Sequence, residues 1–206
     1  DNTGREINRN NLIALLSDIL LKQTPGATIV TDSVTSAGLK KFIENHGGKH
    51  HRFKRGYKNV INEAKRLNNE GIYTPLAIET SGHAAFMNNY FLDDGAYMAA
   101  LLLIQLVKSK KEEVNFTDTL NEVEEPAEEK ELRFTIKAED FRNEGNKVLE
   151  ALNGYVASVK GWEIESPNYE GVRVICDGDS WFLLRLSLHE PLLCLNIETG
   201  EKGKVK

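Results

Sequence analysis

Three short β-branched or aliphatic runs, each set off by amphipathic helical stretches, constrain the first half of this chain more than any other feature. Thr28-Ile29-Val30-Thr31, His50 to Phe53 and Leu76-Ala77-Ile78 read as strands. Asn10 to Leu21 places Leu12, Ile13, Leu15, Leu16, Ile19 and Leu20 at helical spacing, and Pro25-Gly26 breaks it. Ser36 to Asn45 repeats the pattern and stops at Gly47-Gly48. Gly56 to Asn69 turns Val60, Ile61, Ala64 and Leu67 inward, and Asp93 to Lys108 is a strongly apolar helix with Asp93 or Asp94 as its cap. Strands separated by helices of this length pair in parallel through right-handed crossovers. Residues 1–110 are therefore expected to form a three-layer α/β domain with a mainly parallel sheet.

The rhythm then changes. Glu112, Glu113, Asp118, Glu122, Glu124, Glu125, Glu128, Glu129 and Glu131 crowd around Pro126. Such charge density predicts a linker or a solvated surface segment over residues 111–131, and the domain boundary is expected there. Beyond it, Arg133 to Lys137 alternates like a strand, Ala138 to Leu152 is helical, and Gly161 to Glu165, Val172 to Cys176, Trp181 to Leu186 and Leu192 to Ile197 read as short strands. Asp177-Gly178 favours a hairpin turn. Residues 132–206 are thus expected to form a smaller α+β domain with an antiparallel sheet.

Bulk properties remove some classes of function. A formal net charge of -5 over 206 residues argues against a chain built to bind nucleic acid. The longest apolar run, Ala99 to Val107, is too short to span a bilayer, and no signal peptide is visible, so no membrane partner and a cytoplasmic location are expected. Cys176 and Cys194 sit in apolar runs and read as buried free thiols. No cysteine or histidine cluster has zinc spacing.

Two segments have the residue types for anion and hydroxyl recognition. Glu79-Thr80-Ser81-Gly82-His83 directly follows a buried strand, and open parallel sheets bind ligands beyond the carboxyl ends of their strands. Glu79 can accept from two hydroxyls, Ser81 can donate or accept, Gly82 lets backbone approach a ligand, and the His83 imidazole is of a type that can exchange protons. Spacing alone favours a plain loop in which Ser81 caps the next helix and His83 is exposed. Arg185-Leu186-Ser187-Leu188-His189-Glu190-Pro191 lies between two apolar strands. Its guanidinium matches phosphate oxygens in pairs, and Ser187 with turn amides completes an anion nest. The alternative is a surface Arg185 paired with Glu190. The basic stretch Lys49, Arg52, Lys54, Arg55 and Lys58 suits steering of a small anion or simply a solvated face. Asp177-Gly178-Asp179 resembles a carboxylate pair for a metal but reads as a hairpin turn. Gly47-Gly48-Lys49 lacks the rest of a phosphate loop.

Taken in order, these motifs resemble the α-D-phosphohexomutase family, of phosphoglucomutase and phosphomannomutase type. Glu79-Thr80-Ser81-Gly82-His83 is similar to that family's sugar loop, G-E-x-S-G-H. Arg185-Leu186-Ser187-Leu188-His189-Glu190-Pro191 is similar to its phosphate loop, R-x-S-G-T-x-P, with Leu188 and His189 in place of Gly and Thr. Arg55-Gly56-Tyr57-Lys58 resembles its segment T-G-x-K, and Asp94-Gly95 before an apolar helix is also similar. The resemblance covers nearly the whole chain and implies the third and fourth of four domains. It implies that Glu79, Ser81 and Gly82 bind sugar hydroxyls, that Arg185, Ser187 and His189 hold the non-reacting phosphate, and that His83 and Lys58 are catalytic. Hexose phosphates are the implied substrates, turned over by phosphoryl transfer through a bisphosphorylated sugar. A phosphoglucosamine mutase and a non-catalytic phosphosugar-binding protein remain alternatives. The family's serine and magnesium loops have no counterpart here. The resemblance therefore implies a piece of a longer enzyme, inactive without its N-terminal domains. Mg2+ would be bound by residues outside this chain, with a glucose 1,6-bisphosphate-type activator.

Overall fold

The computed structural model describes residues 4, 6, 7, 9–177 and 179–205. Of the features above, the Gly178 position of the expected turn lies outside the described residues. The chain divides into two compact units, Asp1–Glu125 and Pro126–Lys206.

In the first unit, α1 (Arg9–Leu21), β1 (Thr28–Thr31), α2 (Ala37–Asn45), β2 (Lys49–Arg52), α3 (Tyr57–Asn69), β3 (Leu76–Ile78), β4 (Ala84–Phe86) and α4 (Gly95–Lys111) follow one another. The sheet order is β2-β1-β3-β4. β1 pairs in parallel with β2 and β3, while β4 returns antiparallel to β3 with Ile78 opposite Ala84. The two-residue strand period sorts the core into two layers. Ile29, Leu76, Ile78, Ala84 and Phe86 pack with Ile13, Leu16, Leu39, Phe42 and Ile43 from α1 and α2, and with Tyr97, Met98, Leu101 and Leu102 from α4. Val30, Ala77 and Ala85 pack with Val60, Ile61, Ala64 and Leu67 of α3. The result is three layers around a mixed sheet. Caps follow side-chain chemistry: Ser36 Oγ accepts from Leu39 N at 2.9 Å, and Asp94 Oδ1 accepts from Ala96 N and Tyr97 N at 3.0 Å each.

The acidic stretch is not a free linker in this structure. Asp118–Glu122 forms a 3-10 turn, and Val123 is 8% exposed within the first core. Asn11 Nδ2 donates to Glu125 Oε1 at 2.9 Å and Lys41 Nζ to Glu124 Oε2 at 2.8 Å. One apolar side chain, one amide and one ammonium seat a segment whose acidic residues are otherwise exposed.

The second unit contains β5 (Glu128–Thr135), α5 (Phe141–Val156), β6 (Glu163–Ile164), β7 (Val172–Ile175), β8 (Trp181–Leu186) and β9 (Leu192–Thr199). Its sheet is antiparallel throughout, in the order β5-β9-β8-β7-β6. Leu149, Leu152 and Val156 of α5 pack with Val172, Val174, Trp162 and Phe182 on one face. Gly171 has φ +56, and a Cβ there would meet Leu184 O at 2.1 Å and Arg185 Cα at 2.9 Å. The strand carrying Arg185 can sit where it does only beside a glycine. Cys176 and Cys194 are free thiols, and burial together with Asp177 pushes the Cys176 thiol up. Among the described residues no helix is long and apolar enough to cross a membrane.

Candidate functional site

The carboxyl ends of β1, β2 and β3 all lead into loops with charged side chains. β3 ends at Ile78, and residues 79–83 turn the chain back into β4. Two backbone bonds close the turn: Glu79 N donates to His83 O and Gly82 N to Glu79 O, both at 2.9 Å. Gly82 takes φ +94, and a Cβ there would meet nothing within 4 Å, so backbone conformation rather than crowding demands the glycine.

The turn sorts its side chains. Glu79 is 5% and Thr80 6% exposed, whereas Ser81 and His83 lie on the surface. Glu79 Oε1 accepts from Gly56 N at 2.7 Å, tying the turn to the segment that opens α3. Its other oxygen, Oε2, has only a long bond of 3.5 Å from Ser81 Oγ. Glu79 is thus held by one oxygen and offers the other beside a hydroxyl that can pivot.

His83 Nδ1 lies 2.7 Å from Asp93 Oδ2, and Asp93 Oδ1 accepts from Ala84 N at 3.2 Å. A carboxylate only accepts, so Nδ1 carries the proton, and in the neutral imidazole Nε2 then presents a lone pair. The Tyr57 ring stacks on His83 at 5.4 Å between centroids, and Lys58 Nζ lies 5.8 Å from the Tyr57 ring centre. The structure therefore groups Glu79, Ser81, Gly82, His83 and Lys58 in one unit.

Asp32 follows β1 directly and is 0% exposed. Its Oδ2 accepts from Thr80 Oγ1 at 2.8 Å and lies 3.8 Å from Arg55 Nε, while Oδ1 has no hydrogen-bond partner among the described residues. Burial pushes its carboxyl up to about 6, and the Thr80 bond and Arg55 act in the opposite direction. The position after a strand of an open sheet was the available signal, the same one that singled out Glu79. Asp93, read from sequence only as a possible cap, is instead the His83 partner, and Asp94 is the cap.

The basic stretch is partly committed elsewhere. Arg52 donates through Nε to Thr35 Oγ1 at 3.2 Å and through Nη2 to Ser36 O at 3.0 Å. Lys54 lies over the Phe53 ring. His50 bonds Thr31 at 2.7 Å, and His51 bonds buried Glu63 at 2.9 Å. Burial lowers the His51 pKa.

In the second unit, Arg185 lies on β8, 7% exposed, and among the described residues its Nε has no hydrogen-bond partner. The loop after it is built for rigidity. Ser187 N donates to Leu192 O at 2.9 Å, Glu190 N to Ser187 Oγ at 3.3 Å, and Arg142 Nη2 to Leu188 O at 2.9 Å. His189 is exposed at its tip. A buried guanidinium donor with no acceptor costs free energy unless an acceptor, such as an anion's oxygen, meets it. Among the described residues no group of three or more His, Cys, Asp or Glu side chains could hold a metal ion.

Comparison with known proteins gives consistent matches. Residues 8–124 match the family model described as phosphoglucomutase/phosphomannomutase, alpha/beta/alpha domain III. The phosphomannomutase/phosphoglucomutase of Pseudomonas putida is 28% identical over 208 residues, covering 100% of this chain and 41% of that protein. The phosphoglucomutase/phosphomannomutase of Thermococcus kodakarensis is 28% identical over 206 residues, with the same two coverages, 100% and 41%. A solved structure of a phosphoglucomutase/phosphomannomutase family protein from Burkholderia thailandensis superposes with a TM-score of 0.76 at 26% identity, covering 97% of this chain and 39% of that one. The chain thus spans about two fifths of the length of the curated relatives it matches.

Proposed function

The chain belongs to the phosphoglucomutase/phosphomannomutase family, and from that premise we propose that it forms the sugar- and phosphate-recognising part of a hexose-phosphate mutase. The observation that carries this reading is the β3–β4 turn, where one oxygen of Glu79 is anchored, the other is available, and Ser81 and His83 face outward.

Each group then has a task its environment suits. Glu79 Oε2 and Ser81 Oγ bind adjacent sugar hydroxyls, and Gly82 lets the backbone close on the ring. His83 Nε2 takes the proton from the hydroxyl that attacks phosphorus, with Asp93 holding the ring and stabilising the imidazolium that forms. The Lys58 ammonium offsets charge on the transferring group. Arg185, Ser187 and His189 hold the other phosphate through the guanidinium, the hydroxyl and the imidazole. Phosphoryl transfer is largely positioning and electrostatics, which is what these residues supply. Because a bisphosphorylated sugar must react at either end, hydroxyl recognition has to work in two poses. Two flexible acceptors on a fixed turn meet that need.

Magnesium has no ligand set among the described residues, and no step above runs through it. The phosphoryl donor and the metal would come from further domains of the same chain, without which the 206 residues are expected to be inactive. Titration with glucose 1-phosphate, followed by amide chemical shifts, tests the reading. Shifts are expected at residues 79–83 and 185–190. Silence at both segments in millimolar ligand rejects the assignment.

A further inference from the structure

We infer that Asp32 and Thr80 form a latch that positions the β3–β4 turn, Thr80 being a positioning residue that does not touch the sugar; the inference rests on the hydroxyl-reading role given above to Glu79 and Ser81. Thr80 stands between those two residues in sequence, where a third reader would be expected. Its side chain faces the other way. It is 6% exposed, and its hydroxyl donates at 2.8 Å to a carboxylate that is 0% exposed. Asp32 belongs to the segment leaving β1, the strand beside β3, so this bond joins loops that are 48 residues apart in sequence.

The turn needs such a tie. Its own backbone bonds are the two between Glu79 and the pair His83 and Gly82. The bond from Gly56 N to Glu79 Oε1 fastens it to the loop after β2, and the Thr80 bond fastens it to the loop after β1. Together they hold three loops at one end of the sheet in a single arrangement. A bond to a buried, charged-capable acceptor is among the stronger side-chain bonds, and losing it leaves the buried Asp32 carboxylate with only the Thr80 backbone N–H and the Arg55 guanidinium beside it. Because the latch acts on the turn as a whole, its loss lowers affinity for different hexose phosphates by one common factor. A residue that touched the ring would instead change their ratio.

The test compares wild-type chain with Thr80→Val, Thr80→Ser and Asp32→Ala. Amide hydrogen exchange at Glu79 and Gly82 is read first, without ligand. Thr80→Val is expected to speed it by about 10-fold, and Thr80→Ser to stay within about two-fold of wild type. Asp32→Ala, which also loses the Thr80 backbone bond and the Arg55 pair, is expected to speed exchange at least as much, and adding Thr80→Val to it changes nothing further. If Asp32→Ala does not fold, the two Thr80 variants decide alone. Unchanged exchange in Thr80→Val overturns the latch. Glucose 1-phosphate and mannose 1-phosphate are then titrated into wild type and Thr80→Val. Equal weakening of both is expected, and a change in their ratio beyond about three-fold assigns Thr80 to direct reading and overturns the positioning role. If wild type binds neither sugar, the phosphosugar reading falls, while the exchange data still decide whether the latch exists.

Discussion

Replacing Gly38 by alanine tests whether the acidic stretch is seated on the first unit. Within α2, alanine in place of glycine ordinarily stabilises by about 1 kcal/mol. Here a Cβ would lie 1.9 Å from Glu124 O, 2.9 Å from Glu124 C and 3.2 Å from Glu124 Cβ. Carbon and oxygen do not approach that closely, so the backbone of residues 123–125 must retreat by roughly 1 Å or more. Overpacking of this kind costs about 1–3 kcal/mol. Displacing Val123, which is 8% exposed, adds up to about 1.5–3 kcal/mol. The exposed Lys41–Glu124 pair contributes little. After the propensity gain is subtracted, Gly38→Ala is expected to destabilise by about 2 kcal/mol, lowering the melting temperature by roughly 5–10 °C. Circular dichroism at 222 nm reads the helices of both units. Trp162 and Trp181 both lie in the second unit, so tryptophan fluorescence reads that unit alone. Gly154→Ala in α5 is the control, because its Cβ meets nothing within 4 Å and should stabilise by about 1 kcal/mol. A Gly38→Ala chain that melts at or above the wild-type temperature refutes the seating of this segment.

Three further outcomes follow from single contacts. Asp93→Asn should free the His83 ring, and its 15N signals should move toward a mixture in which Nε2 also carries the proton; signals identical to wild type exclude the Asp93 bond as the determinant of the tautomer. Asp32 has a carboxyl raised to about 6 from 3.8, so the folded state holds its proton more tightly than the unfolded chain, and its contribution to stability is full below about pH 4 and lost as pH rises through about 6. Asp32→Asn keeps an acceptor for Thr80 and should remove on the order of 2–3 kcal/mol of that pH dependence, measured as the difference in urea midpoints between pH 4.5 and pH 7; equal slopes in both chains contradict it. Gly171→Ala combines φ +56 with a Cβ at 2.1 Å from Leu184 O, and should lower the fluorescence-detected melting of the second unit by at least about 2 kcal/mol, where a neutral result means β8 is not held as described.

What could be read from sequence is what a short run of residues decides by itself. Ile29 and Val30, or Leu76, Ala77 and Ile78, are apolar on both faces, which forces a strand covered on both sides, and the helices follow from equally local spacing. β4 escaped notice because Ala84-Ala85-Phe86 carries no β-branched residue and becomes a strand only by pairing with β3. The seating of the acidic stretch is not legible because its charge describes only its surface, whereas its position is set by Val123, the Asn11 amide and the smallness of Gly38. The candidate site divides along the same line. Glu79 and His83 stand out because chemistry-bearing residues follow a strand directly. Their partners do not, since Gly56, Asp32 and Asp93 come from three other segments brought together by the sheet order. Thr80 makes the point sharply. From its place between Glu79 and Ser81 it counts as part of the recognition motif, yet its hydroxyl points to Asp32. A motif thus names residues that act together without saying which of them face the ligand, and that distinction is set by contacts 48 residues away.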